Sequence, residues 1–428
     1  MKALRFALLA IAAASIALVG CKKEAQNVAP QNKPANGATA GKPMPKTGAT
    51  PSTWKAPTTS TAPVSTAPAA PMSDEYRAGA QQMLDKGIEF LLSKTEADGG
   101  WSAGGGVYKP AITGLVLKVL LDQPSLDRTK PLPEHITKGF DVLLKYRQPD
   151  GGIYEPKEGQ AAYTTSIAIM ALAAAKNPQY AEIIDKAVAY TKGIQIKEGT
   201  PKPGGGTVAA DDPNVGGVGY GSDKQSANLS TLSFAMAGWE AGGVPKDDPN
   251  VQAAAGFLTR LQNNSETNSA KWAQAGKSDG GFVYSPRESK GGGEGEDGMR
   301  SYGSMTYAGF KGMLYAGVSK DDPRIRAAYK WIRNHWSLEN NPNMPDKQSQ
   351  EGLYYYYHVF AKALRHYGDP VISDGSGNQH NWRHELVDAL KARLQEQGFW
   401  KNDKDRWQEG SEILVTCYSL LALEEVLK

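Results

Sequence analysis

After residue 73 the chain alternates between two kinds of apolar stretch. The first kind is amphipathic: within 134–147, Ile136, Phe140, Leu143 and Leu144 recur at helical spacing with charged residues between them. This pattern predicts outer helices near 75–95, 134–147, 179–195, 249–263, 323–336 and 383–397. The second kind carries little charge. Residues 164–175 and 229–239 contain none, so a helix there has to be covered on nearly every side. Inner helices are therefore predicted near 110–122, 161–176, 226–242, 302–317, 351–367 and 411–427. Asp247-Asp248-Pro249 and Asp321-Asp322-Pro323 put a capping carboxylate before a proline at the first helical position, which accounts for the paired acids without a metal or diphosphate. β-Branched alternation is scarce, so the fold class expected is all-α.

Between each outer helix and the inner helix that follows, the same punctuation returns. Gly99-Gly100-Trp101, Gly151-Gly152-Ile153-Tyr154, Gly216-Gly217-Val218-Gly219-Tyr220, Gly280-Gly281-Phe282 and Gly398-Phe399-Trp400 mark five of the units. The last interval is close to twice the others, so one further unit has lost its glycine pair, giving six helical hairpins in a repeat array. Six hairpins with small-residue inner helices can close into a ring, with the glycine-aromatic turns at one end.

Gly139-Phe140 with Leu143, Leu144, Gln148 and Gly151-Gly152-Ile153-Tyr154 resembles the glutamine-tryptophan repeat of squalene and oxidosqualene cyclases. The same hairpin builds the beta subunits of protein prenyltransferases. The resemblance covers 73–428 and implies an α6/α6 toroid around a largely apolar central cavity. The chemical signatures of these families are missing. No Asp-x-Asp-Asp run is present to protonate an alkene, and neither cysteine has an aspartate two positions before it to build the prenyltransferase zinc site. His358 lies on an inner helix as the zinc histidine would, but one ligand is not a zinc site. The Cys-Gly-Glu-Gln thioester of complement-like toroids is absent too. No metal or cofactor is expected.

The first 72 residues have a different character. Lys2 and Arg5 precede an apolar run over 6–19 that ends in Leu18-Val19-Gly20-Cys21. This reads as a secretory signal, and the four residues resemble a bacterial lipobox. Residues 1–20 are thus expected to be a lipoprotein signal peptide and Cys21 the lipidated first residue, anchoring the protein to a membrane. Lys22 is not the aspartate of inner-membrane retention, so the resemblance implies export to the periplasmic face of the outer membrane. Residues 21–72 are rich in Pro, Ala and Thr and are expected to form a disordered tether. A net charge of +3 from 48 basic and 45 acidic residues carries no nucleic-acid footprint. With Cys21 lipidated, Cys417 stands alone on an apolar helix and reads as a buried inert thiol.

Polar clusters mark the N-terminal ends of the inner helices: Tyr163-Thr164-Thr165, Asn228 with Ser230, Tyr302 with Ser304 and Thr306, Tyr354 to His358, and Glu412 with Thr416. Two uses are open for them. They either line a cavity mouth, where free helix-end amides would suit an anionic head group, or they cap and cross-link helices. Tyr302, Tyr355, Tyr356 and His358 are the expected cavity lining, together with Tyr163, Thr164, Asn228, Ser304 and Glu412. The glycine-rich loop holding Glu294, Glu296, Asp297 and Arg300 reads either as a solvated acidic loop or as a lid, and in the second case Glu296, Asp297 and His358 are the candidate catalytic groups. The function expected is binding of, or action on, an isoprenoid or other apolar ligand. The alternatives are a non-catalytic envelope scaffold, holding an apolar ligand or an envelope partner, and a polysaccharide lyase or glycosidase using paired carboxylates.

Overall fold

The computed structural model describes residues 72–202, 204–221, 226–275, 278–293 and 298–428. All of them belong to one of the chain's two units, Ala67–Lys428. Cys21, Glu296 and Asp297 lie outside the described residues.

The chain is mostly helical, and its elements follow in the order α1 (Asp74–Ser93), α2 (Lys109–Asp122), α3 (Glu134–Leu144), α4 (Ala161–Ala174), α5 (Ala181–Gly193), α6 (Leu229–Ala241) and α7 (Pro249–Leu261). Then come α8 (Lys271–Ala275), α9 (Gly303–Tyr315), α10 (Pro323–Asn334), α11 (Leu353–Tyr367), β1 (Val371–Ser373), β2 (Gln379–Asn381), α12 (Trp382–Lys391) and α13 (Glu412–Leu427). Setting aside the five-residue α8, the helices match the expected outer and inner series. The paired aspartates cap as their order implied: Asp248 Oδ1 accepts the Asn250 N–H at 2.9 Å, and Asp322 Oδ1 accepts that of Arg324 at 2.9 Å.

Inner helices pack on one another in sequence: α2 on α4, α4 on α6, α6 on α9, α9 on α11, α11 on α13, and α13 back on α2. That circuit is closed. Outer helices lie against it, α3 on α2, α5 on α4, α10 on α9, α12 on α11 and α1 on α13. The burial follows the sequence pattern. In α4 every residue from Thr164 to Leu172 is buried, whereas α10 buries only Ile325, Ala328, Trp331 and Ile332.

The glycine-aromatic turns begin alike. The first glycine is left-handed, with φ of 89° at Gly99, 90° at Gly151, 83° at Gly216, 87° at Gly280 and 83° at Gly398. A Cβ on Gly216 would stand 2.0 Å from the Ala253 carbonyl oxygen, so the turn rests directly on the backbone of α7. In four of the five turns the next inner helix then supplies a threonine that holds the residue two positions after the first glycine; in the Gly216 turn Thr231 Oγ1 has no partner. Thr113 Oγ1 accepts the Trp101 N–H at 3.0 Å, Thr165 that of Ile153 at 3.0 Å, Thr306 that of Phe282 at 3.1 Å and Thr416 that of Trp400 at 3.2 Å. Thr165, Thr306 and Thr416 therefore cross-link the fold. In the unit without a glycine pair, between α10 and α11, tyrosines replace the threonine: Tyr356 donates to the Ser337 carbonyl at 2.7 Å and Tyr357 to that of Leu338.

The antiparallel pair β1–β2 was not expected from the sequence. It joins Val371 to Asn381, and Asp374 Oδ1 closes the turn by accepting the Ser376 and Asn378 N–H groups at 2.8 Å. Helix α12 starts immediately after it and ends at Lys391, six residues short of the expected 397.

Candidate functional site

A cavity of about 280 Å³ lies at the N-terminal ends of the inner helices, and all six contribute to its wall. Helix α2 gives Ile112 and Leu115, α4 gives Tyr163, Thr164 and Ile167, and α6 gives Ser230. Ser304 and Met305 come from α9, with Tyr302 just before it; Tyr355 comes from α11, and Leu414 and Tyr418 from α13. Connecting loops close the mouth with Tyr108, Tyr220, Tyr284, Lys290, Trp407, Gln408 and Glu409.

Of the residues expected there, Tyr163, Thr164, Tyr302, Ser304 and Tyr355 line this cavity, and four others do not. Asn228 is a helix cap whose Oδ1 accepts the Thr231 N–H at 2.9 Å. Tyr356 is fully buried away from the cavity wall, its ring 5.5 Å from Tyr307 and 5.8 Å from Phe360. Successive helix residues turn by about 100°, so Tyr355 and Tyr356 cannot share a direction. Glu412 opens α13 outside the lining. His358 lines a separate, smaller cavity of about 30 Å³ with Phe234, Lys311 and Lys362.

An aromatic layer stands between the two cavities. Tyr163 lies 4.1 Å from Phe234, Phe234 6.3 Å from His358, and His358 5.5 Å from Tyr418. Hydroxyls tie it across the inner helices, Tyr163 to Tyr418 at 3.1 Å and Tyr355 to Ser233 at 3.0 Å. Burial and the neighbouring Lys362 push the His358 imidazole well below its ordinary pKa, so the ring is neutral, and its Nδ1 has no partner. Burial lowers the Lys362 ammonium to about 8.

Part of the helix-end amides at the mouth is engaged by the protein itself. At five inner helices, the loop leading into the next inner helix caps an amide at or beside the first turn. Glu158 Oε1 accepts from Tyr108 N at 2.6 Å ahead of α2, the Tyr220 carbonyl from Ala162 N at 2.9 Å on α4, and the Tyr284 carbonyl from Leu229 N at 2.8 Å on α6. For α9 the Pro342 carbonyl accepts from Gly303 N at 2.8 Å and Asn341 Oδ1 from Ser304 N at 2.9 Å; for α11 Glu409 Oε1 accepts from Tyr355 N at 2.8 Å. Of the two uses left open for these helix ends, these contacts are of the capping kind, and each engages one or two of the N–H groups there.

Glu409 is the residue that sequence reasoning missed at greatest cost. It is 1% exposed, and burial raises its carboxyl to about 7 against the lowering effect of its hydrogen bonds, which include Asn402 Nδ2 on Oε2 at 2.6 Å. Its neighbours Trp407 and Gln408 have φ of 58° and 68°, and Tyr108 across the mouth has 52°; three of the six non-glycine residues with positive φ thus line one cavity. Trp407 is 41% exposed and lies over Gly352, where a Cβ would come within 2.9 Å of its ring. Tyr220 and Tyr284 carried a signal that could have found them, since each stands four residues after the first glycine of its turn.

The sequence matches no family model and no curated protein. Among solved structures the chain is similar to the type II terpene cyclase MstE from Scytonema. A variant of that enzyme in complex with its substrate, geranylgeranyl dihydroxybenzoate, aligns with a TM-score of 0.51 and 13% identity over 83% of this chain and 99% of the other. A second variant, in complex with the product merosterolic acid A, gives a TM-score of 0.50 and 12% identity over 83% and 99%. At this identity the likeness is one of fold, and the fold of residues 72–428 is a terpene cyclase-like helical one.

Proposed function

We propose that this chain is a lipid-anchored envelope protein whose six hairpins form an α6/α6 toroid, and that the toroid binds an isoprenoid or other apolar ligand in its central cavity. The observation that carries this reading is the cavity itself, to which all six inner helices contribute and whose wall is mainly aliphatic and tyrosine side chains. The likeness in fold to a cyclase that takes a geranylgeranyl compound supports the ligand class. Attachment through Cys21 would hold the cavity near a membrane, a source of such molecules.

Binding is favoured over turnover. Among the described lining residues Glu409 is the sole carboxylate, and both of its oxygens already accept hydrogen bonds, from Tyr355 N and Asn402. A lone, engaged carboxylate is a poor proton donor to an alkene. No second carboxylate stands beside it among the described lining residues, as a glycosidase pair would require.

The test is to incubate the purified protein with envelope lipid extract and, separately, with glycan fragments, then identify what co-purifies by mass spectrometry. A prenyl lipid is expected. Retention of a glycan, or of nothing, would overturn the reading. Anchoring is tested apart from it: Cys21→Ser should move the protein from the membrane to the soluble fraction.

A further inference from the structure

The polar groups of the cavity fall into those the protein has satisfied and those it has not. Lys290, the one cation among the described lining residues, is ion-paired with Glu288 and lies 4.9 Å from the centre of the Tyr284 ring. Arg406, beside the mouth, is ion-paired with Glu351 at 2.5 Å. Part of the helix-end amides is capped as described above. Against these, the Tyr302 hydroxyl makes no hydrogen bond to any described residue although the side chain is only 2% exposed and lines the cavity. Thr164 Oγ1, also in the wall, is buried without a partner. The Tyr302 hydroxyl is therefore a deeply buried donor left for a ligand.

We propose that the cavity selects an isoprenoid carrying a neutral oxygen, a hydroxyl or a carbonyl, over both a prenyl diphosphate and a plain hydrocarbon, with the Tyr302 hydroxyl as the partner of that oxygen. This rests on the reading of the cavity as an isoprenoid site and sharpens it. A diphosphate brings several negative charges, and burying them is costly when the one cation among the described lining residues is already paired. A hydrocarbon fills the apolar wall but leaves the Tyr302 hydroxyl unsatisfied. A neutral oxygen meets both conditions: it adds no charge, and it accepts from Tyr302. Burial holds the Tyr302 phenol well above its ordinary pKa, so it stays protonated and able to donate.

The experiment compares geranylgeraniol, geranylgeranyl diphosphate and squalene as probes of the full-length protein, read by quenching of tryptophan fluorescence and by calorimetry. Geranylgeraniol is expected to bind about tenfold or more tighter than either of the others, the scale of one well-placed hydrogen bond. Tyr302→Phe should bring geranylgeraniol down to the level of squalene and leave squalene unchanged, with an unaltered melting temperature because the lost hydroxyl holds nothing in the fold. Thr164→Val is the second variant, expected to weaken geranylgeraniol less than Tyr302→Phe does. Tightest binding by the diphosphate, or equal losses for alcohol and hydrocarbon in Tyr302→Phe, would overturn the selection while leaving an isoprenoid site intact. Binding of none of the three would overturn the isoprenoid site as well.

Discussion

At the scale of single residues, Glu409 shows how one carboxyl links the mouth of the cavity to the stability of the fold. Its ordinary pKa is near 4.5, and in the folded chain burial raises it to about 7. Below about pH 4.5 the group is protonated folded or unfolded, and its full contribution is present. As pH rises toward and through 7 the unfolded chain releases the proton more readily than the folded one, so stability falls with rising pH, by up to about 3 kcal/mol. Glu409→Gln keeps an oxygen for Tyr355 N and removes the titration. Urea unfolding between pH 4.5 and 8 should therefore show a decline in the natural protein that the variant lacks; identical profiles would show that Glu409 does not titrate there. The sequence could not single out this residue, because Glu409 sits in a charged loop whose neighbours Asp403, Lys404, Asp405 and Arg406 all read as solvated. The four tyrosines had the reverse difficulty. They were conspicuous, but only the packing of α11 decides that Tyr355 faces the cavity while Tyr356 and Tyr357 reach the loop at Ser337 and Leu338.

At the scale of elements, helices with a chemical start signal were legible and their unsignalled ends less so. Asp248 and Asp322 fixed the starts of α7 and α10, whereas α12 stops at Lys391 although Leu394 continues the apolar spacing. Strands β1 and β2 escaped because three residues are too few for a period of two, even with an Asp-Gly-Ser-Gly turn between them. The turns were legible from their glycines, but the role of Thr165, Thr306 and Thr416 was left open between cavity lining and cross-linking, since a place near the start of an inner helix suits either. This distinction predicts the energetics. Thr165→Val removes the acceptor for the buried Ile153 N–H and the donor to the Ile153 carbonyl, and should cost about 2 kcal/mol in urea unfolding, largely restored by Thr165→Ser. Gly216→Ala should cost more, because it combines a left-handed backbone with a Cβ driven into the Ala253 carbonyl. A neutral Thr165→Val would mean that this turn is held by its glycines alone.

At the scale of the whole unit, closure of the helix circuit is what brings six helix ends around one cavity, and it depends on the last helix. In an open array each repeat touches only its neighbours, so losing a terminal repeat removes little beyond that repeat's own share. Here α13 packs on α1, α2 and α11, and Leu420 sits so close to Gly87 that a Cβ there would come within 2.6 Å of it. Polar contacts carry the same seam, with the Lys428 ammonium 3.1 Å from Asp122 and Arg77 donating to the Leu427 carbonyl at 3.1 Å. Ending the chain after Ser411 would therefore uncover the faces of three helices that stand far apart in sequence. Such a truncation should abolish the single cooperative thermal transition, expose apolar surface to a reporter dye, and lose amide protection in α1 and α2 as much as in α11. Supplying residues 412–428 as a peptide should recover part of that protection by mass action. If hydrogen exchange instead showed α1 to α5 as protected as before, with loss confined to α11 and α12, the array would be behaving as a linear stack, and the closed seam would contribute little to holding the cavity wall together.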